Sequence, residues 1–382
     1  MNLGIMRTAL VAWLAGGMIV STLAGDSGPE LAIRFEDDAG ARMAVVGFDR
    51  SEGRETFFQE SPDLSGWRYL DRFWTAGGGG VEISLPMETA PRFFRVATFT
   101  EPVHEWVTAE AQTELAGYRI FHSAALGRPT SYHVSLPPAY ASDDEREFPV
   151  LYWLHGSGAG ILGVGPVSRF LRNAMDAGLI PQMILVFPNG LPNGMWCDSK
   201  DGSTPIESIL MEDLIPHVDR TYRTLATRDG RLIEGFSMGG YGAGRLGLKH
   251  AEHFRGFSMF GAGPMQLDFL TTESVIVPLP KRQEIFEEVY GGDMDYYESL
   301  HPWRLAEQHA DGLPDDFRIR VMVGTEDLML ANNRLFHAHL NDLEIRHEYR
   351  ELEGIGHQPL QSLMAVGSGN WAFYREIFGG AE

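Results

Sequence analysis

Hydrophobic residues follow two different rhythms along the 382 residues of this chain. Between about residues 31 and 96 they alternate with polar residues or come in short bursts, as in LAIRFEDD (31–38) and ARMAVVGFD (41–49). AGGGG at 76–80 is a turn signal, and no stretch there keeps a helical period. The spacing predicts a small all-β module over residues 28–98. Further on, FPVLYWLH (148–155), QMILVFPN (182–189), RLIEGFS (231–237), FRGFSMFG (254–261) and RIRVMVG (318–324) are near-continuous apolar runs. Amphipathic stretches at 167–178, 207–222 and 241–253 separate them. Strands apolar on both faces, with helices between, predict a mostly parallel sheet covered on both sides, an α/β domain over 103–382.

The first 25 residues depart from both rhythms. One positive charge at Arg7, an apolar run from about residue 9 to 20 and a small-residue exit at Ala24 and Gly25 have the layout of a secretory signal peptide. The alternative is an uncleaved anchor, but the run is short and interrupted at Gly16 and Gly17. The expected location is therefore outside the cytoplasm, secreted or periplasmic, with no membrane attachment after cleavage. Cys197 is the only cysteine, which excludes an intrachain disulfide and a paired-thiol metal site. Formal net charge is −21, with 31 basic against 52 acidic side chains. That balance repels nucleic acid and anionic membrane and favours a neutral substrate, unless a local pocket reverses the field.

The tetrapeptide GFSM occurs twice, at Ser237 and at Ser258. Around Ser237 an apolar strand runs into serine and then into Met238, Gly239 and a helical stretch. A nucleophile elbow needs that sharp strand-to-helix turn, with small residues two before and two after the serine because strand and helix approach closely. Gly235 and Gly239 meet the demand. Ser258 has Gly256 before it but Phe260 after it, so it reads as an interior strand serine bonded to backbone. A serine nucleophile needs a base and a group to orient the base, in the chain order serine, acid, histidine. The strand at 318–324 ends in TEDLML, which offers Asp327, with Glu326 as the solvent-facing alternative. After the next strand, EGIGHQP carries His357 between glycines. His337 and His339 lie two apart on a helix and make a poor metal pair. For the oxyanion, one backbone donor is expected at Met238 and the other at Ser157, or at Gly156, in the HGSG loop after 148–154.

These segments together resemble a known family. HVSLPPAY (133–140), FPVLYWLHGSG (148–158), FPNG (187–190), MEDLIPHVDRTYRT (211–224), GFSMGGYGA (235–243), VGTEDL (323–328) and EGIGH (353–357) carry the likeness. They are similar to the esterase family of the α/β-hydrolase fold that includes feruloyl and acetylxylan esterases, formylglutathione hydrolases, enterochelin esterases and mycolyltransferases. The resemblance implies the same triad, Ser237, Asp327 and His357. The chain departs from it after His357, where QPLQSLMAVGSGN precedes Trp371. ESPDLSGW (60–67) and RFFRV (92–96) resemble a repeat-type β-module of multidomain exported bacterial proteins, with no catalytic role implied.

The expected reaction is hydrolysis of a carboxylic ester through an acyl-enzyme, without metal or organic cofactor. An exported esterase with a β-module suggests acetyl or feruloyl esters of polysaccharide, or related small esters. An acyltransferase and a non-catalytic binding protein on the same scaffold are the alternatives. Residues 193–202 and 264–286 are expected to shape the pocket. Trp196 is either an acyl-stacking residue or a packed loop tryptophan. His155 and Tyr241 are the other substrate-side candidates, although His155 has no triad position and reads first as structural. Trp67 and Trp74 read as core residues rather than sugar platforms.

Overall fold

A computed structural model describes residues 106–108, 110–158, 160–271 and 276–379, together with eight strand segments between residues 7 and 99. The chain divides into two units, Met1–His104 and Glu105–Glu382. The described part of the first unit is all strand. Gly17–Ser21, Arg7–Leu14, Arg92–Phe99, Glu55–Ser61 and Arg68–Phe73 form one sheet, in that order. Leu31–Asp38, Ala41–Arg50 and Gly79–Pro86 form another, and every pairing is antiparallel. The segment expected to leave as a signal peptide thus supplies two strands, with residues 1–6, 15–16 and 22–25 outside the described residues. Trp67 and Trp74 also lie outside them.

The second unit is built on an eight-stranded sheet. Its order is Glu348–Leu352, Arg318–Gly324, Gly256–Phe260, Arg231–Phe236, Val150–Leu154, Ile184–Pro188, Arg128–Ser135 and Gly117–Ser123. The first six run parallel, and the last two join antiparallel. Those last two strands escaped the sequence reading because their polar residues break the apolar run. The period-two alternation of the central strand is direct: Val150, Tyr152 and Leu154 enter one apolar core, Leu151 and Trp153 the other. Helices Ile161–Asp176, Pro359–Val366 and Ser368–Phe378 cover the second core. The first is covered by a helical stretch at 206–221, by Met238–Lys249 and by Leu330–Asp342. The stretch at 206–221 has a π-helical middle, Ile209–Leu214, just before Pro216. Proline brings no N–H to the ladder, so the wider turn absorbs the missing bond.

Ser258 is an interior strand serine, as its sequence suggests, but its partner is not backbone. Its hydroxyl accepts from Arg320 Nε at 2.9 Å. Arg320 is fully buried and also donates to Glu234 Oε2 at 2.7 Å and Asn370 Oδ1 at 3.0 Å, while Tyr374 donates to the other Glu234 oxygen at 2.7 Å. Every charged atom in the group finds a partner, the condition for burying an ion pair at all. The network joins three central strands to the C-terminal helix.

Candidate active site

The parallel strands end together at one edge of the sheet, and the site is assembled there. Strand Arg231–Phe236 stops at Ser237, which takes φ 58° and ψ −121°, and helix Met238–Lys249 begins at once. A non-glycine residue tolerates that backbone only when its surroundings hold it. Ser237 N–H donates to Phe260 O at 2.9 Å, and Ser237 O accepts from Tyr241 N–H at 3.0 Å and Gly263 N–H at 3.2 Å. The flanking glycines are obligatory. A Cβ on Gly239 would sit 1.9 Å from Leu154 O, and one on Gly235 would sit 2.3 Å from Gly239 O.

Ser237, His357 and Asp327 form one hydrogen-bonded chain. His357 Nε2 lies 2.9 Å from Ser237 Oγ, and Nδ1 lies 2.8 and 3.0 Å from the two Asp327 oxygens. A carboxylate only accepts, so the imidazole proton sits on Nδ1, leaving the Nε2 lone pair to accept the serine hydroxyl. The Asp327 side chain is buried and also accepts from Met329 N–H at 2.8 Å. Gly261, at φ 48°, makes room for it: a Cβ there would lie 2.7 Å from Asp327 Oδ2. The His357 ring packs on Phe236, with centroids 4.5 Å apart. Glu326 is exposed and takes no part in this chain.

The loop after Val150–Leu154 lies against the serine, since a Cβ on Gly156 would be 3.1 Å from Ser237 Cβ. His155 fixes this loop. Its Nδ1–H donates to Gly156 O at 2.7 Å, and its Nε2 accepts from Gly190 N–H at 3.1 Å. Burial lowers the His155 pKa, against a smaller opposing effect of the Gly156 carbonyl, consistent with a neutral ring. Because a trans peptide points its C=O and N–H in opposite directions, holding Gly156 O turns the Ser157 N–H away from the His155 ring. The N–H groups of Ser157 and Met238 donate to no protein acceptor among the described residues. Both remain available to a developing oxyanion.

A cavity of about 350 Å³ opens beside these groups. Its wall is mainly apolar, including Trp153, Leu162, Phe236, Phe269, Ile276 and Met329. Segment 264–286 supplies much of it, as the sequence suggests, whereas 193–202 contributes only Met195. His155 lines the cavity with both ring nitrogens already engaged. Trp196 and Tyr241 are corrections. Both are fully buried and neither lines the cavity. The Trp196 indole fills the space left by Gly190 and Gly242 and donates to His155 O at 3.1 Å, so it braces the loop from behind. Tyr241 sits inside helix Met238–Lys249, its ring 5.5 Å from that of His301. After His357 the divergent stretch forms helix Pro359–Val366, and Pro359 reaches the cavity. Trp371 instead packs on Phe170 at 5.3 Å.

Residues 123–359, which contain all three members of the hydrogen-bonded chain, match the Esterase family model, described as "Putative esterase". The chain belongs to the Esterase family. Esterase Rv1288 of Mycobacterium tuberculosis is 29% identical to this Esterase-family chain over 269 residues, 63% of this chain and 55% of that protein. The chain thus spans about half the length of the curated relatives it matches first. An endo-1,4-beta-xylanase/feruloyl esterase of Xylanibacter ruminicola is 28% identical over 151 residues, covering 37% of this chain and 21% of that one. Among solved structures, a ferulic acid esterase superposes with a TM-score of 0.56 at 22% identity, covering 69% of this chain and 98% of that one. The fold is that of the α/β-hydrolases. Among the described residues, no group of three or more His, Cys, Asp or Glu is placed to hold a metal, and no helix is long and apolar enough to cross a membrane.

Of the cavity wall, sequence reasoning missed Leu162, Met329 and Pro359 among others. Met329 and Pro359 were within reach, each two residues from a member of the hydrogen-bonded chain. Leu162 comes from a segment with no chemical signature, and Phe269 and Arg282 were covered only by the span 264–286, with no signal of their own.

Proposed function

We propose that the chain hydrolyses carboxylic esters by transferring the acyl group to Ser237 and then to water. The hydrogen-bonded chain from Ser237 through His357 to Asp327, with the serine held at a strand-to-helix turn in the left-handed region, carries this reading. In the first step His357 Nε2 takes the Ser237 proton as Oγ attacks the ester carbonyl. Asp327 stabilises the imidazolium and keeps its ring in place. The oxyanion is held by the N–H groups of Met238 and Ser157, the latter oriented through His155 and Gly156. His357 returns the proton to the leaving alcohol, and water repeats the sequence on the acyl-enzyme.

The apolar cavity fits an acyl or aryl group better than a polar sugar. A feruloyl or acetyl ester of a polysaccharide is the substrate this reading favours, supported by the Xylanibacter relative that joins a xylanase name to a feruloyl esterase name. The same reading has the protein exported, with the first 25 residues removed. Ser237→Ala tests the chemistry. It should lower kcat on p-nitrophenyl acetate by about 10⁴ or more with little change in KM. Equal slow hydrolysis by both proteins would sink the assignment. Acetylated xylan, methyl ferulate and short aryl esters then separate the substrates; turnover of the aryl esters alone removes polysaccharide from the reading and leaves the esterase.

A further inference from the structure

Four arginines are buried among the described residues: Arg231, Arg245, Arg282 and Arg320. Three have a carboxylate. Arg231 pairs with Asp219 at 2.6 Å, Arg245 with Glu207 at 2.7 Å and Arg320 with Glu234 at 2.7 Å. Arg282, 4% exposed, has none among the described residues. It sits on helix Leu279–Tyr290 and lines the cavity that contains Ser237 and His357. Its Nε donates to Val277 O at 3.0 Å and its Nη1 to Phe269 O at 2.5 Å. Those carbonyls belong to residues of the cavity wall, and they clamp the guanidinium in one orientation. Nη2 is buried and has no hydrogen-bond partner among the described residues.

An unpaired buried cation is costly, so one that persists beside a cavity calls for an explanation, of which a ligand group is one. Burial accordingly lowers the Arg282 pKa, with Asp268 and Tyr297 acting in the opposite direction. Asp268 forms no ion pair with it and is itself exposed. The clamp leaves Nη2 fixed in advance, so a ligand oxygen would not have to order the side chain. In a wall that is otherwise mainly apolar, this is the local reversal of an acidic protein's field.

We propose that Arg282 is a specificity-determining residue, donating to an anionic oxygen carried by the ester itself, remote from the scissile bond. Beside the feruloyl and acetyl esters named above, which carry no such group, this adds a further substrate class, an ester with a free carboxylate at the far end of its acyl group. This rests on the esterase reading above. The probes are p-nitrophenyl hydrogen glutarate and p-nitrophenyl hexanoate, whose acyl groups are of similar length and differ in the terminal charge. Wild-type protein should have the higher kcat/KM on the glutarate. In Arg282→Met that selectivity should fall about 10- to 100-fold, mainly through KM, with the hexanoate within about threefold of wild type. Wild-type preference for hexanoate overturns the proposal without any variant. So does an equal loss on both esters in Arg282→Met, which would make Arg282 only a clamp for the 269–277 segment. Calorimetric titration of Ser237→Ala with methyl hydrogen glutarate keeps the question separate from catalysis. Binding that disappears in Ser237→Ala/Arg282→Met supports the site, and no binding at all overturns it. Failure of wild-type protein to cleave either probe counts against the esterase reading, and the titration still decides Arg282.

Discussion

At the scale of single residues, much of the site is a matter of absent side chains. Gly235, Gly239 and Gly261 each stand where a Cβ would press on backbone or on the Asp327 carboxylate. The two GFSM copies separate on this ground. The first ends at Gly239, which lets helix Met238–Lys249 start against Leu154; the second runs through Phe260 to Gly261, which leaves room for Asp327. They are adjacent in space as well, since Phe260 O accepts the Ser237 N–H. Gly239→Ala should therefore cost about 3 kcal/mol or more, because the contact at 1.9 Å is with backbone that cannot swing away. Gly163→Ala is the control. Nothing lies within 4 Å of its Cβ position in helix Ile161–Asp176, so it should be neutral or stabilising by about 0.5–1 kcal/mol. Urea denaturation of both variants checks this; equal midpoints would show that the elbow has more slack than its geometry indicates.

At the scale of elements, the N-terminal segment carries two competing patterns. Arg7–Leu14 pairs with Arg92–Phe99, Leu10 facing Arg95 and Trp13 facing Arg92. The same residues have the charged start and apolar middle of a signal peptide. A short apolar run satisfies either role, since periodicity cannot tell a strand from a segment read by the export machinery. Removal would leave Arg92–Phe99 at a sheet edge, still paired with Glu55–Ser61. Export predicts that protein recovered outside the cytoplasm begins near residue 26, read by N-terminal sequencing. An exported protein that keeps Arg7 would refute cleavage at this site. The C-terminal helix Ser368–Phe378 poses no such ambiguity, because Asn370 and Tyr374 bond the buried Arg320–Glu234 pair.

At the scale of the whole molecule, acid should be the main threat to stability. His133 and His301 are buried, and burial lowers their pKa values to about 4 and about 3. His133 Nε2 accepts from Ala111 N–H, and His301 Nδ1 accepts from Trp303 N–H, so both rings are held neutral. An unfolded histidine titrates near pH 6.5. Below that pH the unfolded chain binds more protons than the folded one, so stability is full above 6.5 and falls as pH drops towards 4. At pH 5 the loss is about 2 kcal/mol for each ring. Urea midpoints at pH 7 and pH 5 measure it, and His133→Gln, which keeps an acceptor for Ala111, should remove about 2 kcal/mol of the difference, the share of one ring. A midpoint that does not move would mean these rings are protonated in the folded protein.

The sequence by itself determined the chemistry that depends on chain order and local spacing. The apolar runs marked five of the six parallel strands, the glycines around Ser237 marked the elbow, and the position of Asp327 and His357 after their strands marked the partners. Each of these follows from neighbours a few residues away, or from the direction in which a strand delivers its last residue. Tertiary structure alone decided what surrounds that chemistry. For Trp196 the sequence left acyl stacking and loop packing both open, and Gly190 and Gly242, distant from each other in sequence, decide for packing by closing over its indole. Ser258 found Arg320, 62 residues away. Arg282 carries no motif, and only the fold shows that among the described residues it lacks the carboxylate its three buried counterparts have. Burial and pairing are sums over contacts between distant segments, so the chain order that gives away a triad says nothing of them.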